Sequence, residues 1–475
     1  MTAPMSEHDR ESPLGSAGSP PEAWQRAHRL VRRAREPIER FLAIEAASGL
    51  LLLATAGLAL VLANGPWRHA YEALWHTPLG FRLGTLHFEQ DLHFWINDGL
   101  MTIFFFVVGL EIRREIHRGE LSGLRRAALP VAAALGGMLF PAVLYALFNR
   151  GRPSLAGWGI PMATDIAFAV GTLALLGKRV PPALRVLLLA LAVIDDVGAI
   201  LVIAVFYSTG LSWLGFLAMG LGTLAIYGLQ KLGVRPALAY LLPGLVIWAG
   251  AYEAGVHPTL AGVIVGLMTP VRAWFGPQRF AQHAQQGAAR LGSLDAAEER
   301  AALGILDELA QARREAVSPV ERLEHALHGY VAFGIMPLFA FANAGVPLGE
   351  ASFTGDHRAV FLGIVVGLSL GKPLGIVAFS WLLVKLGLGA LPMGLSLRHV
   401  VLVGLVGGIG FTMALFIAQL ALPPGALLET AKLAILVASG LAALLSSLLG
   451  LWLLPRRAGR SRDLPVKTRP EASTS

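Results

Sequence analysis

Cysteine is absent from the 475 residues, which excludes disulfides and thiolate-held metal sites. Charge is scarce as well: Asp, Glu, Lys and Arg make up 15% of the chain, against roughly 25% in an average soluble domain. Hydrophobic residues account for 55% and the mean hydropathy is +0.61, a chain built for a solvent less polar than water. The N-terminus lacks a short apolar run with a small-residue cleavage site, so no secretory signal peptide is expected. A separate basic domain is also missing. The net charge of +8 and the pI near 10.0 come from Lys and Arg placed between apolar runs and at both termini. That placement excludes a nucleic-acid partner and fits loops beside anionic lipid.

What the chain has instead is a series of apolar segments, each about 17 to 25 residues long and able to cross the bilayer as a helix. They lie near Leu42–Ala63, Phe94–Leu110, Ala127–Phe148, Ser154–Leu176, Ala183–Tyr207 and Trp213–Leu229, then Pro236–Tyr252, Val256–Met268, Tyr330–Ala344, Val360–Val384, His399–Leu420 and Thr430–Leu454. The eighth is short enough to be a partial crossing. This predicts an all-α polytopic membrane protein of about twelve transmembrane helices. A transmembrane domain spans residues 41–454, between a basic, disordered cytoplasmic tail (1–40) and a second cytoplasmic tail (455–475).

Residues 272–320 form a polar cytoplasmic insert in which Leu294–Ala316 reads as an amphipathic helix. The stretch from Leu83 to Asp91 alternates weakly and predicts an extended hairpin outside the membrane. Orientation follows from the positive loops. Arg113, Arg114, Arg118, Arg125 and Arg126 crowd one loop, and Lys178, Arg179, Arg185, Lys231, Arg235, Lys385, Arg398 and Arg456 fall on the same side. Both termini are therefore expected in the cytoplasm.

The informative residues are charges in the middle of apolar spans: Asp165 in the fourth, Asp195 and Asp196 in the fifth, Lys372 in the tenth. Each costs about 2.5–3.5 kcal/mol at a helix centre, and four cost on the order of 10 kcal/mol before pairing. A buried structural network is the alternative, with Lys372 neutralising one carboxylate. Three acids against one base leave at least two without a protein cation, and these are protonated, bind an external cation or face water. All three alternatives describe an ion pathway. Neighbouring helical residues point about 100° apart, so one of Asp195 and Asp196 faces Lys372 while the other faces an aqueous funnel. Thr164 adds a hydroxyl beside Asp165. Such hard oxygen donors suit Na⁺ or Li⁺, with Asp195, Asp196 and Thr164 the candidate ligands.

Helix breakers fall in the same places. Pro161 precedes Asp165, Pro373 is expected to kink the tenth span, and Gly407, Gly408 and Gly410 make the eleventh a poor continuous helix. Close helix packing is the other use of glycine in a membrane.

At these residues the sequence resembles the NhaA family of bacterial Na⁺/H⁺ antiporters. The similar strings are Asn97-Asp-Gly-Leu-Met, Val108-Gly-Leu-Glu-Ile-Arg-Arg-Glu115, Ala163-Thr-Asp-Ile-Ala-Phe-Ala and Leu191-Ala-Val-Ile-Asp-Asp. Further on come Val256-His-Pro-Thr-Leu-Ala-Gly, Arg322-Leu-Glu-His-Ala-Leu-His328, Pro337-Leu-Phe-Ala-Phe-Ala-Asn-Ala-Gly, Gly371-Lys-Pro-Leu-Gly and Gly408-Ile-Gly-Phe-Thr-Met. The strings run in collinear order from about Phe41 to Leu454 and are specific together.

The resemblance implies inverted repeats with two discontinuous helices crossing at the midplane, which are known features of that family. It also implies a pH-regulated, electrogenic exchange of Na⁺ or Li⁺ for H⁺ in the bacterial inner membrane, with no cofactor. It makes Asp195 and Asp196 the ion-binding, proton-carrying pair. It counts Asp165, Thr164 and Lys372 with them in the ion-binding, proton-carrying set, with Asp165 and Thr164 at a helix break and Lys372 the partner of the first aspartate. It assigns Glu111, Glu115, His257, Glu324 and His325 to pH sensing, and it implies a homodimer joined through the extracellular β-hairpin. Departures from the family pattern are Pro258 after His257, Glu321 in place of a basic residue, the insert and the tails.

Two other classes are open. A proton-coupled symporter or a channel would use the same buried acids. An intramembrane aspartyl protease would need a Tyr-Asp and a Gly-x-Gly-Asp motif, whereas Asp165 follows Thr164 and Asp195 follows Ile194.

Overall fold

The computed structural model describes residues 45–454, apart from 84–85, 209, 211, 235, 274, 295–297, 351–353 and 393. Both expected tails lie outside the described residues. The helices are α1 (Glu45–Ala63), α2 (Arg68–Trp75), α3 (Leu92–Arg118), α4 (Leu124–Phe148), α5 (Ile166–Leu175), α6 (Pro182–Phe206), α7 (Trp213–Lys231), α8 (Leu241–Glu253) and α9 (Leu260–Met268). After the insert helices α10 (Gly276–Gly292) and α11 (Glu299–Ala316) come α12 (Pro319–Asn343), α13 (Gly355–Lys385), α14 (Leu397–Gly407), α15 (Phe411–Ala421) and α16 (Ala426–Leu453).

Among the described residues every expected apolar segment contains helix, but not all of them are continuous. Seven described helices are long and apolar enough to span, and ten if each of three bent pairs counts as one. In the first pair α1 turns into α2 through 115°. The second joins a 3₁₀ helix, Pro153–Met162, to α5 at 45°, and the third joins α14 to α15 at 51°. The eighth segment yields α9, which has 9 residues. At about 1.5 Å per residue it reaches less than half the hydrocarbon thickness.

The bundle is held by close backbone approach. A Cβ on Gly136 of α4 would lie 2.1 Å from the Gly375 carbonyl oxygen of α13, so only glycine allows these helices to lie this close. That contact aligns α13 with α4, and α14 packs on the same half of α13. The outer face of α7 exposes Trp213, Leu214, Leu217, Leu221 and Leu224, a surface suited to lipid.

The hairpin is longer than expected: β1 (Pro78–Leu83) pairs antiparallel with β2 (Leu86–Asp91), in the register Pro78↔Asp91 to Leu83↔Leu86. Pro78 and Gly80 depress strand propensity and hide β1 in the sequence. Aromatic packing anchors it instead, for Phe88 meets Phe94, Trp95, Trp248 and Tyr252 edge-on.

The insert also exceeds the expectation. Its helix α11 starts at Glu299 rather than Leu294, and α10 is an additional helix packed against it. Phe275 N donates to the Glu315 carbonyl and Arg290 pairs with Glu308 at 2.9 Å, so the two run antiparallel. Gln- and Arg-rich composition masks α10. Its buried Gly287 lies directly under Leu309.

Candidate functional site

Two interrupted helices meet at their breaks. The 3₁₀ helix ends at Met162, residues 163–165 are extended, and α5 begins at Ile166. Opposite, α14 ends at Gly407 and α15 begins at Phe411. Asp165 N donates to the Ile409 carbonyl across the gap at 2.8 Å. The glycines permit this approach, since a Cβ on Gly410 would lie 3.1 Å from the Ala163 carbonyl oxygen and one on Gly408 would lie 2.5 Å from that of Leu368. Gly407 is the last residue of α14, and Pro161 belongs to the 3₁₀ turn just before the break.

Each break leaves helix ends with unsatisfied groups and partial charge. Asp165 serves two positive ends. Its Oδ1 accepts from Phe168 N at 2.9 Å, capping α5. Its Oδ2 accepts from Thr412 N at 3.1 Å and from the Thr412 hydroxyl, at the start of α15. Ser439 Oγ of α16 accepts from Phe411 N at 3.0 Å. The negative ends receive donors: Lys372 Nζ lies 2.5 Å from the Met162 carbonyl oxygen. Thr164 Oγ1 lies 2.9 Å from that of Gly407.

The expected kink at Pro373 takes another form. The preceding turn, Gly367–Gly371, is π-helical and α13 runs on unbroken. Proline has no N–H to donate and its ring crowds the previous turn; a wider turn absorbs both effects. Lys372 follows that turn and points inward, 0% exposed. Its Nζ lies 2.7 Å from Asp195 Oδ2, and Thr164 Oγ1 lies 2.7 Å from the same oxygen. The hydroxyl's single proton serves either Asp195 or Gly407.

The two aspartates of α6 differ as their angular offset requires. Asp195 takes Lys372. Asp196 is also buried, 2% exposed, rather than facing an aqueous funnel. Among the described residues Asp196 Oδ2 and Asp195 Oδ1 have no hydrogen-bond partner. The charged groups within electrostatic range of Asp196 are Glu111, Asp195 and Asp165, all acidic, and Lys372. One fixed cation thus stands among four carboxyls.

The family model for "Na+/H+ antiporter 1" matches residues 39–450. The chain belongs to the Na⁺/H⁺ antiporters. Among curated relatives it is similar to "Na(+)/H(+) antiporter NhaA 2" of Myxococcus xanthus, 54% identical over 468 residues that cover 97% of this chain and 99% of the relative. The Sorangium cellulosum relative of the same name is 56% identical over 453 residues, 93% of this chain and 95% of its own. "Na(+)/H(+) antiporter NhaA" of Bordetella petrii is 48% identical over 467 residues, with 96% and 99% covered. Members of this family are transporters and not enzymes, which sets aside the protease; the symporter and channel alternatives find no support.

The antiporter's five candidate pH-sensing residues do not form one cluster. Arg114 of α3 pairs with Glu324 of α12 and lies 3.5 Å from Glu115, and Glu115 Oε2 accepts from Glu120 N at 3.1 Å. Glu111 lies within electrostatic range of Glu324, Arg114 and Glu115, and of Asp196. It links this charged end of α3 to the buried pair. His325 is exposed on α12. His257 sits towards the other end of α3, 3.4 Å from Asp98 and 3.2 Å from Thr259 Oγ1. Seventeen residues separate Asp98 from Glu115 in the sequence, about 25 Å along a helix.

Sequence reasoning missed Arg114 as the hub of this network, Thr412 as the second ligand-holder of Asp165, and Asp98 as the partner of His257. All three lie inside strings that carry the family resemblance. A polar residue within an apolar span was the available signal. It passed unused because neither partner can be read from spacing.

Proposed function

We infer that the antiporter exchanges Na⁺ for H⁺ through competition at Asp195 and Asp196. The observation that carries this is the imbalance of charge: two adjacent buried carboxylates share one lysine, and among the described residues Asp196 has no basic partner of its own. An ionised carboxylate attracts Na⁺, and a protonated one does not. If only the sodium-loaded or the protonated site switches sides, each ion's gradient drives the other. Lys372 holds Asp195 while the site lacks its cargo, and Na⁺ takes over that attraction when it arrives. Thr164 Oγ1 supplies a neutral oxygen at the same place. Asp165, already engaged by three protein donors, acts as the fixed clasp of the two broken helices rather than as a carrier.

The wider reading follows from family and charge pattern. The protein exports Na⁺ or Li⁺ from a bacterial cell across the inner membrane, with both termini cytoplasmic, on the side of the arginine-rich end of α3. It serves sodium and pH homeostasis. A cycle that moves more protons than Na⁺ is electrogenic, with the membrane potential as a drive. The residue 41–454 domain has about twelve spans in inverted repeats, supported by the paired breaks. The β1–β2 hairpin joins two copies on the outer face. Glu111, Glu115 and Glu324, with His257 and His325 as outliers, tune activity to pH.

Na⁺-induced collapse of a preformed pH gradient in inverted membrane vesicles tests the exchange. The wild-type protein collapses it, and Asp196→Asn abolishes the response while still inserting into the membrane. Full exchange in that variant would refute the site assignment.

A further inference from the structure

A second buried polar cluster lies away from the aspartates, at the end of α3 remote from its arginines. His93 and Asn97 of α3, Asn343 of α12 and Gln419 of α15 bond to one another. The Phe339 carbonyl sets the polarity of the whole cluster, because it can only accept. Asn343 Nδ2 donates to it at 2.9 Å and also to Asn97 Oδ1 at 2.8 Å. That leaves Asn343 Oδ1 to accept from His93 Nε2 at 3.0 Å and from Gln419. Asn97 Nδ2 then faces the imidazole, 3.1 Å from Nδ1 and 3.2 Å from Nε2. Since Nε2 already donates to Asn343, Nδ1 is the acceptor. Every contact in the triangle His93–Asn97–Asn343 joins one donor to one acceptor, provided His93 is neutral.

A charged imidazole has two donors and no acceptor. Its Nδ1–H would face the Asn97 amide nitrogen. Rotating the Asn97 amide would cure that clash and create another, with nitrogen against nitrogen at Asn343. Rotating Asn343 as well would lose the Phe339 bond and oppose His93 Nε2. No arrangement of a three-membered ring accommodates the charge.

We propose that His93 is a proton-operated latch: proton uptake there breaks the Asn97–Asn343 bond that ties α3 to α12 and, through Gln419, to α15. Asn97 and Asn343 are buried, but His93 is half-buried, so a proton reaches it from the hairpin side. The charged and titratable groups that face it are Lys432 of α16, Asp91 at the end of β2 and His76 after α2. Lys432 is held by Glu429 at 2.8 Å, and His76 lies 3.5 Å from Asp91. Release frees the far end of α15, whose near end is clasped by Asp165. The latch goes beyond the exchange reading and stands whatever ion is carried.

Amide hydrogen exchange of the full-length protein in lipid nanodiscs tests it, with rates corrected for intrinsic pH dependence. Between about pH 8 and about pH 4.5, exchange in segments 92–100 and 336–343 rises about tenfold in the wild type, while α7 stays flat. His93→Gln keeps one donor and one acceptor but cannot titrate, and it abolishes the rise. Asn97→Asp offers only acceptors, which lets a charged His93 close the ring, and it also abolishes the rise. A flat wild type, a rise shared by α7, or a rise retained in either folded variant would overturn the proposal. Should one variant fail to fold, the other decides.

Discussion

At the scale of single residues, Thr412 shows how much one hydroxyl holds in place. Asp165 Oδ2 takes both the backbone N–H and the hydroxyl of Thr412, so the second broken helix starts on a carboxylate that also caps the first. Thr412→Val keeps the shape and the backbone bond but removes a buried charge-assisted hydrogen bond. Such a loss costs about 1.5–3 kcal/mol. Thermal unfolding in detergent is expected to shift downward by a few degrees, and vesicle exchange to fall with it. An unchanged midpoint would mean that the backbone bond alone holds the clasp. Asp195 and Asp196 show the opposite economy, each keeping a carboxylate oxygen without a partner among the described residues. A buried acid left so exposed to its own desolvation is poised to take a cation.

Elements are shaped here by what they lack. The breaks at residues 163–165 and 408–410 require small residues because backbone passes backbone. Gly410→Val would drive a branched side chain towards the Ala163 carbonyl and Leu368. Exchange in vesicles is expected to be lost although the protein still inserts, and retained exchange would show that the crossing is more forgiving than its spacing suggests. The α10–α11 hairpin presents the contrary case. Pro270 and Val320, at its two ends, are already joined by a hydrogen bond of 3.4 Å, so the bundle closes beneath it. Replacing residues 276–316 with a short Gly/Ser linker should leave Na⁺-driven exchange close to wild type. A loss of exchange on correct insertion would assign the insert a role in transport.

At the scale of the whole molecule, one shared site makes transport depend on pH in a definite direction. If protons and Na⁺ compete at the carboxylates as proposed, acid raises the Na⁺ concentration needed for half-maximal exchange. Each competing proton is expected to raise the apparent KM by up to about tenfold per pH unit on the acid side of the site's titration, so an electrogenic cycle gives a slope of at least tenfold, while the maximal rate stays constant. Measured initial rates over a grid of pH and Na⁺ check this. A KM that ignores pH would mean separate sites, and with them a different mechanism.

Much of this protein was determined by the sequence alone, because lipid penalises charge so heavily that any acid or lysine inside an apolar run is conspicuous. That is why Asp165, Asp195, Asp196 and Lys372 stand out in the sequence, and why glycine and proline mark the two broken spans. Tertiary structure decided what depends on partners distant in the chain: that Lys372 and Thr164 converge on the same oxygen of Asp195, the lysine as the resemblance implied, and that Asp165 serves two helices at once. It also replaced the kink at Pro373 with a π turn and separated His257 from Glu324. It drew α10 out of a polar stretch as well. Pairing across hundreds of residues is set by packing geometry, and periodicity along one helix carries no record of what the next helix places opposite it.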